Sequence, residues 1–499
     1  LQTRWCPSDR FACRLFTKCQ RIDHRSQRSP IGCVRFRAMG QLNVTNPFDG
    51  SPVGEVQLSS ESDVDLALTI AEKTHKANRK GLPRHERAAI LKRAALLMKG
   101  RTDELALLIA SEGGKPLIDA RVEVERAIDG VETCAADIAN NAGYEIPMDL
   151  TPAGDGKMAF TIKEPIGPVV AISAFNHPLN LIVHQVAPAV AAGNPVIVKP
   201  ADDTPLSCKM FINILHQAGL AQEWAQFICC NVEAAQKLVT DERVAFFSFI
   251  GSAAVGWKLR SLVAPGTRVA LEHGGVAPVI VCPSAKKELF IPSLVKGGFY
   301  HSGQVCVSVQ RVFSFGSSAR GLAENIAEHA SKLIVGNAID AETQCGPLIR
   351  NREVDRVEEW VNEAVDAGAE VICGGKRLSA SCYAPTVLLN PPETCRVSSQ
   401  EIFGPLISVY DKKSLNDAIV QANSLPFAFQ ASVFSNDYTE IMDAVNRIDG
   451  SAIMVNEHSA FRVDWMPFAG RKRSGLGVGG ISHTLEEMSQ SKMAVFSSR

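Results

Sequence analysis

Cys306 and Glu272 could carry covalent chemistry. Cys306 lies in Ser302-Gly303-Gln304-Val305-Cys306-Val307-Ser308, a thiol between a flexible glycine and small residues, which suits a nucleophile. A buried structural thiol is the competing reading, and it fits the other cysteines better. Glu272 lies in Leu271-Glu272-His273-Gly274-Gly275. It follows the apolar Val269-Ala270-Leu271 and precedes two glycines that let backbone approach closely, which suits a base rather than a solvated surface charge. Asn176, in Phe175-Asn176-His177-Pro178, reads as a turn or cap residue, but a strand–Asn–helix placement also suits a site at the C-terminal end of a strand.

The elements that must position these groups alternate. Val169–Ala174, Pro195–Lys199, Phe227–Cys230 and Val244–Ile250 read as short buried strands. Helical stretches Leu179–Ala192, Leu206–Ala218 and Glu233–Val239 separate them, which predicts a parallel, doubly wound sheet. Upstream, Glu61 to Ala139 has helical spacing, with Ser62 and Asp63 as candidate caps. After Glu272 a second alternation begins with Pro278–Cys282 and a helix reaching about Gly303. Tyr144–Gly167 reads as a hairpin turning at Gly154-Asp155-Gly156, and Met488–Ser498 could add a third strand.

The 499 residues, 46% of them hydrophobic, suffice for more than one core. A formal net charge of −1 gives no reason to expect nucleic acid as partner, and the apolar runs are too short to span a bilayer. The 14 cysteines show neither a disulfide framework nor paired C-x-x-C zinc knuckles, so a reducing, cytoplasmic setting without a metal is expected. Residues 1–38 differ, with eight arginines against Asp9 and Asp23. That composition fits a start placed too far upstream of Met39, a mitochondrial targeting segment, or a disordered arm.

Cys306, Glu272, Phe175-Asn176-His177-Pro178, Lys199-Pro200-Ala201-Asp202, Gly251-Ser252-Ala253-Ala254-Val255-Gly256 and Glu401-Ile402-Phe403-Gly404-Pro405 occur in an order that resembles the aldehyde dehydrogenase superfamily. The resemblance runs from about Gln41 to the C-terminus. It implies an α/β fold with a Rossmann-type cofactor domain (41–141 and 166–271), a catalytic domain (272–456), an oligomerisation element (142–165 and 486–499) making a dimer or tetramer, and a returning loop (457–485). It also implies a hydrolytic, non-acylating enzyme in which Asn176 and the Cys306 N–H hold an oxyanion, with Glu401 and Phe403 at the nicotinamide.

Gly251 and Ser252, ending a strand and opening a helix, favour a pyrophosphate. Lys199 and Asp202 suit the adenosine ribose. An acidic side chain there repels a 2′-phosphate, so NAD is expected; Asp where the family more often has Glu leaves NADP open. Gly475-Leu476-Gly477-Val478-Gly479-Gly480 satisfies G-x-G-x-x-G, but no βαβ unit follows, so it reads as a decoy.

For the substrate, His177, Asn180 or Leu181, and His184 recur on one helix face. Family members acting on apolar aldehydes place aromatic residues where the two histidines stand. Arg126 and Arg462 align with tunnel positions at which relatives handling phosphorylated or phosphonate aldehydes carry arginine, although Val305 replaces the arginine those relatives have before the nucleophile. For Arg126 a solvated helix charge is the alternative, and Arg462 could pair with Asp464. The expected substrate is a small polar, anionic aldehyde: phosphonoacetaldehyde first, then glyceraldehyde 3-phosphate, sulfoacetaldehyde or lactaldehyde. A catalytically idle homologue, the rival of another class, would have no reason to keep Cys306 and Glu272.

Overall fold

The computed structural model describes residues 40–316 and 319–497; the expectations for residues 1–38 lie outside them. Runs rich in β-branched and aromatic residues, buried on both faces, become parallel strands. Val169–Ile172, Val196–Lys199, Ala225–Phe227, Phe246–Ile250 and Arg268–Glu272 form a sheet, edged by the antiparallel Gly475–Leu476. In space the order is Gly475–Leu476, Arg268–Glu272, Phe246–Ile250, Val169–Ile172, Val196–Lys199, Ala225–Phe227. Strand order therefore reverses between Val169–Ile172 and Phe246–Ile250. At such a switch point the connecting helices leave on opposite faces and open a crevice at the strands' carboxyl ends. Asn176 and Gly251 follow those two ends.

A second sheet of seven strands runs Glu370–Cys373, Thr386–Leu389, Leu406–Lys412, Arg311–Phe315, Pro278–Val281, Gln430–Phe434, Ala452–Val455, all parallel except the first. A third, antiparallel sheet pairs Ser489–Ser497 and Glu145–Ile146 with Lys157–Pro165. No helix of the described residues is long and apolar enough to cross a membrane, and the described cysteines are free thiols.

Several local expectations needed correction. The helical stretch from Glu61 is four helices, Glu61–Ala77, Arg84–Lys99, Thr102–Gly113 and Leu117–Asp137. They break where Gly81-Leu82-Pro83, Gly100 and Gly114-Lys115-Pro116 interrupt the pattern. The first is capped by Ser60, with Asp63 completing a capping box, rather than by Ser62. The strand expected at Phe227–Cys230 ends at Phe227, leaving Cys229 and Cys230 buried just beyond it. The hairpin does not turn on Gly154-Asp155-Gly156: residues 147–156 connect its strands and include a 3-10 turn at Pro152–Gly154.

Candidate active site

The crevice opens into a cleft of about 660 Å³ lined by Cys306, Glu272, Asn176 and residues on either side of them. The segment before Cys306 is strained into place. After the helix Lys287–Phe299, His301, Ser302 and Gly303 stand in succession at φ of +46°, +55° and +71°, a left-handed run that two non-glycine residues adopt only when fixed from outside. Ser302 Oγ donates to the Gly346 carbonyl at 2.7 Å, and the His301 N–H donates to Asp119 at 3.2 Å. The Gln304 side chain accepts from the Ile349 N–H at 3.0 Å. Asn176 Nδ2 donates to the Gln304 carbonyl at 3.0 Å, which ties the first sheet to the Cys306 loop and leaves the second amide hydrogen uncommitted there.

Burial raises the Cys306 thiol well above its ordinary pKa, reinforced by negative Glu401 and Glu272 and opposed by Arg462. The free thiol is therefore protonated at neutral pH and needs a base. Burial pushes Glu272 up to about 7, against the pull of Arg462, so Glu272 exchanges protons near neutrality. The sequence that mimics a dinucleotide motif serves this carboxylate. Gly475 pairs with Glu272 across the strand edge, and a Cβ on Gly479 would fall 2.1 Å from Glu272 Oε1. Those glycines make room for an acid, not for a phosphate.

Ala201, Asp203, Gly251, Ser252, Glu401 and Phe403 line another part of the cleft. Ser252 is the N-cap of Ala253–Arg260 and uses no side-chain bond to close it, so that helix start offers N–H groups to an anion. Glu401 Oε1 is buried without a hydrogen-bond partner, and burial pushes its carboxyl up to about 8. A Cβ on Gly274 would fall 1.8 Å from it. An orphaned carboxylate facing a cleft beside a free helix N-terminus fits a dinucleotide's ribose and pyrophosphate. Close by, Lys199 Nζ donates to Asp202 at 2.6 Å and to the Pro200 carbonyl at 3.1 Å. The charge meant to repel a 2′-phosphate is already paired.

His177, His184, Arg126 and Arg462 all line the cleft, with Tyr300 and Phe461. The His177 ring stacks on Tyr300 with centroids 6.1 Å apart, and burial beside Lys115 and Arg126 holds it neutral. His184 Nε2 meets Asp464 Oδ1 at 2.7 Å. Burial lowers the His184 pKa despite Asp464; an ionised carboxylate only accepts, so Nε2 carries the hydrogen. Arg126 grips the same carboxylate through both arms of its fork, Nε to Oδ2 at 3.0 Å and Nη2 to Oδ1 at 2.8 Å, and Asn180 Nδ2 adds 2.9 Å. Burial would raise the Asp464 carboxyl, but His184 and Arg126 outweigh it and hold it far below the usual range.

The partner expected for Arg462 thus belongs to Arg126, which is neither a solvated charge nor a free anion grip. Arg462 lies over the Phe468 ring, 3.5 Å from its centroid, and its Nη1 is buried without a hydrogen-bond partner. Burial lowers its pKa to about 10, with Glu272 pulling the other way; it stays charged at neutral pH.

Sequence reasoning missed what aims these groups. Lys115 and Glu123 form an ion pair buried on both sides. Glu123 Oε1 also accepts the Leu179 and Asn180 N–H groups at 2.9 and 3.0 Å, capping the helix Asn180–Ala192. Arg126 lies three residues after Glu123 on the same helix face, so one cap orients both Arg126 and the His184 helix. No local signal in the sequence announces that arrangement.

The aldehyde dehydrogenase family model matches residues 36–494. A 3-sulfolactaldehyde dehydrogenase of Priestia aryabhattai is 35% identical over 91% of this chain and 94% of its own length. Aldehyde dehydrogenase 21 of Physcomitrella patens, solved with its reaction product succinate, superposes with a TM-score of 0.89 at 32% identity, covering 92% of this chain and 95% of that one. The glyceraldehyde-3-phosphate dehydrogenase GapN of Methanocaldococcus jannaschii, solved with NADP, gives 0.88 at 33%, covering 93% and 100%. With this fold and a family match over most of its length, the chain belongs to the aldehyde dehydrogenase family of NAD(P)-dependent oxidoreductases.

Proposed function

We propose that this chain oxidises a short aldehyde with an anionic tail to the carboxylic acid, by way of a thiohemiacetal and a thioester on Cys306. The observation that carries the reading is Arg462, a guanidinium with a buried Nη1 that lacks a hydrogen-bond partner, in the same cleft as Cys306 and Glu272. A charged fork in an apolar setting recognises sulfonate, carboxylate, phosphonate or phosphate. The relatives named above support this, since a sulfonated aldehyde, the dicarboxylate succinate and a phosphorylated aldehyde all carry an acidic group.

Glu272 takes the thiol proton as sulfur bonds to the carbonyl carbon. The uncommitted Asn176 N–H and the Cys306 backbone N–H are placed to receive the developing oxyanion. NAD(P), when bound, would supply the acceptor for the hydride that the thiohemiacetal loses in becoming a thioester. Glu272, once it has released the thiol proton to solvent, removes a proton from water; the water oxygen bonds to the acyl carbon, the carbon–sulfur bond breaks, and the leaving thiolate takes a proton back as the acid departs. Gly251, Ser252, Glu401 and Phe403 would hold the dinucleotide. Lys199 and Asp202, paired with each other, would meet the adenosine ribose, so NAD and NADP are separated only weakly.

In the same proposal the unit 41–141 and 166–271 binds cofactor, 272–456 carries the nucleophile, and the element 142–165 and 486–499 joins copies into a dimer or tetramer. A cytoplasmic location completes it, supported by the free thiols.

The test is Arg462→Leu, assayed by cofactor reduction with sulfoacetaldehyde, phosphonoacetaldehyde and uncharged propanal. A charge-assisted contact is worth about 1.5–3 kcal/mol, so kcat/KM for the charged aldehydes falls about tenfold or more relative to propanal. A wild-type enzyme that handles propanal as well as every anionic aldehyde removes the reading.

A further inference from the structure

Asp464 is a buried carboxylate facing the cleft's polar wall, and all of its partners come from elsewhere in the chain. Its Oδ1 receives Arg126, Asn180 and His184 at 2.8, 2.9 and 2.7 Å, and its Oδ2 receives Arg126 at 3.0 Å. Its side chain is 3% exposed against 20% for Arg126. The loop that carries it is fixed on both sides: Ser459 Oγ donates to the Val307 carbonyl at 2.8 Å, and the Ile481 N–H donates to the Asp464 carbonyl at 3.0 Å. The loop is thus tied to the residue that follows Cys306 through Ser459, and Arg126 is locked against Asp464.

Two arginines in this wall would make a site of charge +2, suited to a dianion. Pairing with Asp464 cancels one of them. The Lys115–Glu123 pair behind the wall also sums to zero, and the buried His177 and His184 are neutral. Lys296 lines the cleft too, but it is exposed, with the carboxylates of Asp119 and Glu457 nearby. Val305 brings no charge from the nucleophile's side. Among the described residues of the inner wall, Arg462 remains as the cation with no ion pair, its Nη1 without a hydrogen-bond partner and Glu272 the main acid acting on it.

We propose that Asp464 sets the charge of the substrate's tail pocket: by occupying Arg126 it leaves Arg462 alone to meet the substrate, so the pocket takes monoanionic tails, sulfonate or carboxylate, in preference to dianionic phosphonate or phosphate. The inference rests on the anionic-tail reading above and places the sulfonate and carboxylate substrates ahead of phosphonoacetaldehyde. A dianion would put its second charge next to Asp464 with no cation to answer it, whereas a monoanion is matched one to one. Asp464 acts through Arg126 and is a positioning residue; the Arg126–Asp464 contact fixes how many cations the substrate meets.

The experiment compares kcat/KM for sulfoacetaldehyde and phosphonoacetaldehyde at a pH above the phosphonate's second ionisation, where its tail is a dianion and the sulfonate remains a monoanion. Wild-type enzyme favours the sulfonate by about tenfold, and Asp464→Asn, which keeps the side chain's shape and removes its charge, moves the ratio towards the phosphonate by about tenfold or more, mainly through KM. Because the reading is a ratio, a general loss of activity cancels. An unchanged ratio in Asp464→Asn overturns the inference.

Should that variant not fold, wild-type enzyme oxidising propanal is inhibited with methanesulfonate or methylphosphonate. Tighter inhibition by methanesulfonate supports the inference, and equal or tighter inhibition by methylphosphonate overturns it. If neither ion inhibits and no charged aldehyde outdoes propanal, the anionic-tail reading itself has failed. If charged aldehydes win but dianions do as well as monoanions, only the role given to Asp464 has failed.

Discussion

Cys306 lines the cleft, Asp464 holds side chains that line it, and the two are fixed in different ways. Around Cys306 the decisive contacts involve short contiguous motifs: the left-handed His301-Ser302-Gly303 run, the Gln304 clamp and the Asn176 amide. Each motif has a composition that already suggests its conformation or its chemistry. Around Asp464 the contacts come from Arg126, Asn180 and His184, which lie 338, 284 and 280 positions away. None of those residues carries a local sign that it will share a carboxylate. The identity of the reactive groups is therefore legible locally, although Asp119, Asn176 and Gly346 fix their turn from a distance. The charge of the pocket is a sum over distant partners, and one pairing reverses its meaning.

The largest effect that could break this contrast lies at the reactive end. Replacing Cys306 with Ala should lower turnover by about a thousandfold or more, since no second nucleophile is placed to substitute. Glu272→Gln should slow both the burst of reduced cofactor and steady turnover, because one carboxylate takes the thiol proton and later activates water. The sign of the pH dependence follows from the raised Glu272 carboxyl. The base works only when ionised, so thioester hydrolysis should rise as pH increases through about 7 and level off above it, and Glu272→Gln should flatten that limb. Rapid-quench kinetics across pH would show it; steady-state activity unchanged in either variant would take the roles away.

An intermediate effect separates the two arginines. Arg126→Leu leaves Asp464 charged and buried with only Asn180 and His184 to answer it. Breaking a fully buried pair costs about 3–5 kcal/mol; with two donors remaining and Arg126 partly exposed, about 2 kcal/mol is expected, read as a fall of several degrees in Tm. Arg462→Leu breaks no ion pair and should cost stability little while weakening charged substrates. Calorimetry of the two variants checks this. Equal melting temperatures with a raised KM in Arg126→Leu would mean that Arg126 meets the substrate after all.

The smallest effect concerns the cofactor. Asp202 has a half-exposed side chain paired with Lys199, and an exposed pair contributes about 0–1 kcal/mol. Asp202→Ser should therefore change the NADP to NAD preference only about threefold. A far larger swing in the two Michaelis constants would show that this carboxylate faces the ribose when the dinucleotide binds.

The strands of the first sheet were legible because Val169–Ile172, Val196–Lys199 and Phe246–Ile250 are apolar runs bounded by breakers. Such strands have to be buried on both faces, and that fixes a parallel sheet covered by helices. The chemistry of Cys306 and Glu272 was legible for a related reason, since a thiol or a carboxylate among glycines has few other uses. The four helices after Glu61 and the Ser60 cap were misread by a few residues, because periodicity runs on across a turn that only packing reveals. What the tertiary structure alone decided was pairing. It gave Asp464 to Arg126, Asp202 to Lys199, and the glycines at 475 and 479 to Glu272. Coulomb attraction and hydrogen bonding depend on distance and burial. A sequence specifies which charges are present, and only the folded chain brings particular ones within 3 Å of each other and removes the water between them.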